Sequence, residues 1–279
     1  MKLDLKKRTV RTKRAGQGAD DRAADRTEDK GEVSALARGL ALLQAVAGAG
    51  GMSMKDLSAA TDIPKPTVSR LVATLVSTGF LRQDEGSALC RLGPAFLAMG
   101  NAFLSDQDVR EMLRPHLATV ANVAGAKVNL GVRNGLDIMV IDSVRPRDAV
   151  ILSTMEIGSR MSLATSAGGR SYLASLDAEP RQALLEELRA MLGSSWRSTA
   201  ARLEDAFAEY RALGYCTSFG EWHPEINAIG MTLQGSHGQR YAVSCGGPIY
   251  KTTPDLLRQQ VAPVMLRELK GWTPTPPSI

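Results

Sequence analysis

The alternation of apolar and polar positions between residues 53 and 92 predicts a short helix, a turn, a second helix and a hairpin, in that order. The first helix begins at about residue 54, because the hydroxyl of Ser53 is free to cap its backbone amides. Its apolar positions Leu57 and Ala60 are expected to face inward. Pro64 ends this helix by disfavouring helical geometry in the residue before it.

The second helix follows a turn over residues 62–65 and begins at Pro66, whose missing N–H costs no hydrogen bond in a first turn. Its apolar residues form one continuous stripe and are expected to be core: Val68, Leu71, Val72, Leu75 and Val76. The opposite face carries small and hydroxylated side chains with one guanidinium: Thr67, Ser69, Arg70, Ala73 and Thr74. Such a face can approach DNA closely, and Arg70 can reach a guanine edge or a phosphate.

Gly79 ends the second helix, and two short apolar segments then flank a polar turn at residues 84–87, as in a hairpin. The hairpin predicts a wing that holds Arg82 and Arg91 near backbone phosphates. A preceding amphipathic helix completes the set, with apolar positions at Leu36, Leu40, Leu43 and Val46. A helical hairpin that binds no nucleic acid is the alternative, and the full order of parts disfavours it. The predicted DNA-contacting residues are Lys65, Thr67, Ser69, Arg70, Thr74, Arg82 and Arg91.

The rest of the chain predicts an α+β sheet domain with helices packed on it. A short helix at 94–104 links it to the first domain. An amphipathic helix at 108–123 opens it, and Pro115 is expected to bend or interrupt that helix. Asn134 and Gly135 lie between two alternating segments and indicate a hairpin. The further predicted elements are strands at 127–132, 137–144, 149–155, 228–233 and 241–245 and helices at 166–176, 179–191, 199–213 and 254–269.

Charge is unevenly distributed along the chain. Residues 1–31 hold ten Lys and Arg against six Asp and Glu, which is +4 of the net charge of +5. This run has no apolar periodicity, so a disordered tail is expected, either a solubilising one or a basic arm that adds salt-sensitive attraction to DNA phosphates. Between residues 32 and 105 the charges nearly balance, six basic against five acidic. A single first domain should therefore bind DNA weakly, and dimerisation is expected to contribute.

The cysteines Cys90, Cys216 and Cys245 are dispersed, which argues against a disulfide framework and for a reducing compartment. Apolar runs stop well before the roughly 18 residues of a membrane span, and the basic start lacks the apolar segment of a signal peptide. The sequence therefore predicts a cytoplasmic protein with no membrane association. A Cys245 nucleophile with His223 or His237 as base, or a zinc site, lacks a supporting motif, so no catalytic residue, metal or cofactor is expected.

Four short segments of the first domain carry a family pattern: Ala-Arg-Gly-Leu-Ala-Leu-Leu at 37–43, Pro-Thr-Val-Ser-Arg-Leu at 66–71, Gly-Phe-Leu at 79–81 and Arg-Leu-Gly at 91–93. In these the chain resembles the IclR family of bacterial transcriptional regulators, and the resemblance runs from about residue 33 to 272. It implies a winged helix-turn-helix domain joined by a linker helix to a GAF-like α/β effector-binding domain. The implied organisation is a basic tail at 1–31, the DNA-binding domain at 32–93, the linker helix at 94–106, the effector-binding domain at 107–272 and a flexible end at 273–279.

The resemblance also implies an effector pocket, because residues 165–170 fall on the family's ligand loop. Hydroxyls, two glycines and free backbone amides at a helix start favour an anion there, and they equally suit capping and packing. Ser218, Ala228 and Gly246 depart from the acid, cysteine and serine that are common in the family, so a larger, flatter ligand such as an aromatic acid is expected. The loop at 221–223 either closes over the ligand or is an ordinary surface turn. The predicted effector-binding residues are Met161, Ala167, Gly168, Ser218, Trp222, Ala228, Ser244 and Gly246.

The resemblance predicts a ligand-responsive transcriptional regulator, with a homodimer or dimer of dimers on a pseudopalindromic double-stranded operator. It is expected to control a catabolic operon in response to a small carboxylate. The alternative is a small-molecule sensor or enzyme domain whose N-terminal module mediates protein contacts. Arg70→Ala separates the two, since it should abolish sequence-selective DNA binding only in the first case.

Overall fold

The computed structural model describes residues 33–105, 109–147, 155–235 and 238–272. These form two compact units, and the chain divides after Ser105. The predicted tails at 1–31 and 273–279 lie outside the described residues, and so does the predicted strand at 149–155 apart from Met155, which is not in a strand.

The first unit begins with three helices: α1 (Ser34–Ala49), α2 (Met54–Thr61) and α3 (Lys65–Ser77). The hydroxyl of Ser53 accepts from the Asp56 amide at 3.2 Å and donates to its carboxylate at 2.7 Å, which caps α2 as predicted. Asp62 follows in the left-handed conformation, with φ of 56°. Ser58 donates to the Ile63 carbonyl at 2.7 Å and closes the turn to α3.

The apolar stripe of α3 is its packing face, as the sequence predicts. Val68 and Val72 are fully buried, and Leu71 and Leu75 are half-buried against the same core. Val76, at the end of the stripe, lies where the helix leaves the core and is 37% exposed. The hydroxylated face of α3 therefore points away from the core of the unit.

Two expectations for the neighbouring helices are wrong. Ala60 of α2 is exposed, because this short helix meets the core through Leu57 and the partly buried Met54. In α1 the buried stripe runs through Leu42, Leu43 and Val46, so the face that carries Leu36 and Leu40 is left at the surface of the unit.

The predicted wing is an antiparallel pair of short strands, β1 (Leu81–Gln83) and β2 (Cys90–Leu92). Met52 forms a bridge to Cys90 and ties the wing to the segment between α1 and α2. The helix α4 (Ala95–Ser105) follows. Its Phe96 meets Phe80 edge to face with ring centroids 5.2 Å apart, which fixes the start of α4 on the core.

The second unit is built on a six-stranded antiparallel sheet in the order β5-β4-β3-β8-β7-β6. Its strands are β3 (Lys127–Asn134), β4 (Asp137–Val144), β5 (Arg160–Ser162), β6 (Cys216–Phe219), β7 (Ile226–Gln234) and β8 (Arg240–Pro248). The Asn134–Gly135 signal is confirmed as the β3–β4 hairpin, with Gly135 at φ of 61°. The strands β5 and β6 were not predicted, because three or four residues are too few to show an alternating pattern.

A bulge interrupts the β3–β4 ladder. Leu130 pairs with Asp142 and Gly131 with Val140, so Ile141 has no partner on β3. The alternation of β4 reverses at this point, because the extra residue changes the face that each later side chain takes.

Helices cover both faces of the sheet. They are α5 (Val109–Ala124), α6 (Ala167–Ala174), α7 (Ala178–Leu192), α8 (Trp196–Leu213), α9 (Pro254–Leu256) and α10 (Ala262–Leu269), and Leu257–Val261 form a π-helical turn between the last two. α5 and α10 pack together, with α5 on β3 and β4, and α6 lies against β7 and β8 with α8 outside it. Of the two expectations for Pro115, a bend or an interruption, the interruption is wrong: α5 runs through Pro115, and its buried face carries Val109, Leu113, Leu117 and Val120. No helix in the described part of the chain is long and apolar enough to cross a bilayer.

Candidate functional site

The hydroxylated face of α3 is exposed and small. Ser69, Arg70 and Thr74 are exposed and Thr67 is half-buried. Thr74 donates its hydroxyl to the Arg70 carbonyl at 3.1 Å, so that hydroxyl proton is used within the helix. The Arg70 guanidinium makes no hydrogen bond or ion pair to any described residue. It is available to a ligand outside the chain.

The wing arginines differ from Arg70, because both contact one carboxylate. Asp84 lies 2.7 Å from Arg82 Nη1 and 2.5 Å from Arg91 Nε. The Arg91 hydrogen bond is the main reason that the pKa of Asp84 lies below its ordinary value. Arg91 also donates to the Gly50 carbonyl at 2.5 Å, so it braces the wing against the end of α1. A DNA phosphate would have to compete with these contacts.

A cavity opens in the second unit between the sheet, the start of α6 and the loop after β6. Its empty space, which includes solvent at the open mouth, is about 500 Å³. None of the described residues that line it carries a charge, and they are Asn129, Met155, Met161, Ser166, Ala167, Ser218, Trp222, Ile226, Ala228, Ser244, Gly246 and Gly247. The cavity thus brings together seven of the eight predicted effector-binding residues. Gly168 is the exception: a Cβ there would lie 3.5 Å from the Cβ of Ser244, directly behind the wall.

The start of α6 lies against the sheet because β7 has a glycine beneath it. A Cβ on Gly230 would come within 2.5 Å of the Ala167 carbonyl carbon and the Gly168 amide nitrogen. Ser166 caps the helix, accepting from the Gly169 amide at 3.0 Å. The first amides of α6 therefore lie beside the cavity floor, where a helix favours negative charge.

A buried ion pair anchors the loop that carries Trp222. Arg170 of α6 is 3% exposed, donates to the carbonyls of Ala164 and Thr217 at 3.1 Å each, and pairs with the Glu221 carboxylate. The same carboxylate lies 3.5 Å from Arg202 of α8. The loop at 221–223 is therefore fixed on two helices, and Trp222 forms part of the cavity wall.

The serine hydroxyls of the cavity differ in the acceptors to which they donate. Ser218 donates to the Thr165 carbonyl and Ser166 to the Ser162 carbonyl, each at 2.7 Å. Among the described residues, Ser244 donates only to the sulfur of Met161, at 3.6 Å. Because a thioether is a weak acceptor, the Ser244 hydroxyl is the one that a ligand can most easily recruit.

One departure from the family pattern has a steric explanation. Ala228 pairs with Gly246 across β7 and β8, and a Cβ on Gly246 would lie 2.5 Å from the Cβ of Ala228. A serine at position 246 would collide with this alanine. The floor of the cavity is consequently bare backbone here, which makes it less polar than the family pattern implies.

The cysteines are buried and their thiols are far from reactive. Cys90, Cys216 and Cys245 are each 0% exposed and free of disulfides. Burial raises the pKa of Cys245 to about 12 and raises the pKa of Cys216 still further. His223 accepts from the Glu225 amide at 3.2 Å, and His237 lies outside the described residues. A thiolate nucleophile in this chain therefore has no support.

Apart from Ser166, which lies in the expected ligand loop at 165–170, the sequence missed four lining residues: Asn129, Met155, Ile226 and Gly247. Met155 and Ile226 carry no pattern that separates them from ordinary core residues. Asn129 did give a signal, since asparagine is depleted in strands and this one lies between the buried Val128 and Leu130.

Models of known protein families match both units of the chain. Residues 101–268 match the model of the bacterial transcriptional regulator IclR C-terminal domain, and residues 35–85 match the IclR helix-turn-helix domain. The chain is 29% identical over 238 residues to the HTH-type transcriptional regulator TsaQ1/TsaQ2 of Comamonas testosteroni, covering 84% of this chain and 85% of that protein. It is also 29% identical over 231 residues to the HTH-type transcriptional repressor AllR of Klebsiella pneumoniae, covering 80% and 83%.

Solved structures give the same result. An IclR family transcriptional regulator from Brucella abortus matches with a TM-score of 0.79 and 31% identity, over 91% of this chain and 94% of that one. An IclR homologue from Microbacterium hydrocarbonoxydans, solved with 4-hydroxybenzoate, has the same fold at 19% identity and a TM-score of 0.63, over 85% of this chain and all of that one. The relatives are regulators and repressors, so the chain is a transcriptional regulator with a DNA-binding and a ligand-binding domain and is not an enzyme. The chain belongs to the IclR family of bacterial transcriptional regulators.

Proposed function

We propose that the protein controls a catabolic operon by binding a pseudopalindromic operator and that a small organic acid, aromatic in character, alters this binding. The face of α3 inserts into the major groove, where Arg70 reads a base edge and Lys65, Thr67 and Ser69 hold the register. Arg82 and Arg91 place the wing against phosphates. In this assignment residues 94–106 join a DNA-binding domain at 32–93 to an effector-binding domain at 107–272.

The observation that carries the proposal is the state of Arg70. It lies on an exposed, small-residue face and has no partner among the described residues, whereas the two wing arginines and Arg170 of α6 are paired internally. A side chain with five donors and no internal acceptor suits recognition of guanine or phosphate.

The test is selection of bound fragments from the host's genomic DNA, near physiological salt and again at raised salt, with the protein and its Arg70→Ala variant. Enrichment of a few promoter fragments containing a pseudopalindrome, lost in the variant, is expected. For one such fragment the affinity should fall by about tenfold or more, because a bidentate arginine–guanine contact contributes roughly 1–3 kcal/mol.

The matched control is Arg197→Ala. Arg197 is exposed on α8 in the second unit, so this variant loses the same charge far along the chain from α3. It should select the same fragments. Uniform retention of DNA that Arg70→Ala leaves unchanged would contradict the proposal and would point to salt-sensitive attraction by the basic tail alone.

We further infer that two copies of the chain associate through the first unit. Apolar side chains are exposed on α4 and on the outer face of α1: Leu97 at 69%, Met99 at 59%, Leu36 at 62% and Leu40 at 50%. Exposed apolar surface of this kind marks an interface, and a two-fold operator requires two recognition helices. Leu36→Glu with Leu40→Glu should reduce the sedimenting mass, while an unchanged mass would refute this interface.

The proposed ligand class follows from the cavity. Uncharged walls, with Met155, Met161 and Trp222 among them, suit a flat apolar body, and the amides of α6 with Ser244 suit a carboxylate. The Microbacterium homologue, solved with 4-hydroxybenzoate, offers one such acid as a probe. A regulator that binds the chromosome of a bacterium acts in the cytoplasm, which is the location we propose.

A further inference from the structure

Asn129 is a buried polar side chain that faces the ligand cavity. It lies on β3 between two fully buried residues, is 8% exposed and lines the cavity. Its carbonyl oxygen Oδ1 accepts a hydrogen bond from the hydroxyl of Ser143 at 2.9 Å. Its amide nitrogen Nδ2 donates to no acceptor among the described residues. Asn129 therefore gives the cavity lining a donor whose two protons are taken by no described acceptor.

Contacts on the other face of the sheet hold Ser143, the neighbour of Asn129 on β4. The bulge at Ile141 places Ser143 beside Asn129 and turns Asp142 to the face that α5 covers. The Ser143 amide donates to Asp142 Oδ1 at 2.9 Å. Arg114 of α5 donates to the same carboxylate, from Nε to Oδ2 at 3.0 Å and from Nη2 to Oδ1 at 3.1 Å. Ser143 is thus held beside Asn129, and its hydroxyl donates to Oδ1, which leaves Nδ2 outside that contact.

Asn129 completes a row of donors across the cavity floor. Ser244 is its cross-strand partner on β8, and the start of α6 lies next to Ser244, since the Cβ position of Gly168 is 3.5 Å from the Ser244 Cβ. The row therefore runs from the first amides of α6 through the Ser244 hydroxyl to Asn129 Nδ2. All three present protons, and none of the lining residues presents a charge.

We propose that Asn129 is a ligand-contacting residue, whose Nδ2 donates to one carboxylate oxygen of the effector while Ser244 and the first amides of α6 receive the other. Ser143 is a positioning residue that acts through Asn129. The proposal rests on the ligand-binding role of the cavity and adds the group that selects a carboxylate. The lining side chains are uncharged, so a negative charge there is met by oriented dipoles, and the buried ammonium of Lys127 donates to the carbonyl of the lining Met155.

The experiment is calorimetric titration of the full chain with four probes: acetate, glyoxylate, benzoate and 4-hydroxybenzoate. The variants are Asn129→Asp, which faces the probe with a like charge, and Asn129→Ala, which removes the donor. We expect the wild type to bind at least one probe and both variants to weaken that probe by about tenfold or more. Asn134→Asp is the control, because it makes the same change at an exposed position of the same strand.

A variant that merely misfolds is recognised by thermal unfolding, and Ser143→Ala then serves as a second test. It keeps Asn129 but releases its amide, so about threefold weaker binding is expected. Unchanged binding by both Asn129 variants, an equal loss in Asn134→Asp, or no binding of any probe to the wild type would overturn the proposal. Selective operator binding without carboxylate binding would defeat this inference and the proposed acid effector but leave the operator role standing, whereas Asn129-dependent carboxylate binding without operator selection would defeat the proposed operator role alone.

Discussion

The exposed face of α3 and the cavity of the second unit use side chains in opposite ways. The α3 face comes from one continuous segment, and Arg70 has no partner within the described chain. The cavity draws its residues from five strands, the start of α6 and two loops, and groups in and around it are tied to one another by internal hydrogen bonds and ion pairs. Arg70 on the α3 face therefore contributes little to stability, whereas the contacts that shape the cavity also stabilise the fold.

Arg170→Ala should give the largest loss of stability. Arg170 is 3% exposed and neutralises Glu221, so its removal leaves a partly buried carboxylate with only the exposed Arg202 nearby. Breaking a buried pair typically costs 3–5 kcal/mol, and because Glu221 is partly exposed we expect about 3 kcal/mol in urea unfolding. Arg202→Ala is the control and should change the free energy of unfolding by less than about 0.5 kcal/mol. Equal losses of stability in the two variants would show that the buried Arg170–Glu221 pair stabilises the fold no more than the exposed Arg202–Glu221 pair does.

Gly230→Ala should lower the free energy of unfolding by about 2 kcal/mol. The new Cβ would lie 2.5 Å from the backbone of α6, so the helix or the strand would have to shift. It should also weaken any carboxylate probe that the wild type binds, since the α6 amides must move. Gly48→Ala provides a contrast of opposite sign: Gly48 is exposed in α1 with nothing within 4 Å of its Cβ position, so a gain of up to about 1 kcal/mol is expected. A neutral Gly230→Ala would mean that α6 adjusts without cost.

Asp142→Asn should cost about 1.5 kcal/mol near neutral pH. Burial alone would raise the pKa of Asp142, but the Arg114 hydrogen bonds, the Ser143 amide and the charge of Arg110 outweigh it, so the pKa lies below its ordinary value. The ionised carboxylate therefore stabilises the fold above about pH 4, and this contribution is lost as the pH falls through the folded-state pKa. Urea midpoints measured from pH 7 downwards should decline less steeply in the variant than in the wild type. Parallel declines would show that Asp142 does not carry this acid sensitivity.

Arg70→Ala should give the smallest change in stability, less than about 0.5 kcal/mol, because no internal contact is lost. Its urea midpoint should match that of the wild type even though selective DNA binding is expected to disappear. A clear destabilisation would break the contrast between the two regions, since Arg70 would then belong to the fold as well as to the DNA-binding surface.

The contrast also explains how far the sequence could predict this protein. The helix pair was found to within a residue or two, because the Ser53 cap, Pro66 and the α3 stripe are local signals. The burial of α1 was misjudged, since the pattern alone does not show which of two apolar faces meets the core. The cavity residues came largely from the family resemblance, because they lie on different strands and helices.

The residues that resemblance did not supply depend on non-local geometry. The side of the sheet on which Ser143 lies is decided by a bulge, and no sequence pattern marked it. Pro115 was expected to disturb α5, yet the packing of its apolar stripe keeps the helix continuous. Tertiary contacts override local preference in both cases.

The three buried thiols provide each unit with its own reporter. Cys90 lies in the core of the first unit, and Cys216 and Cys245 lie in the sheet of the second. Because the thiolate is the reactive form and each thiol is buried with a raised pKa, alkylation requires the surrounding structure to open. Pulsed alkylation followed by peptide mass spectrometry can therefore time the opening of the two units separately in the unmodified chain.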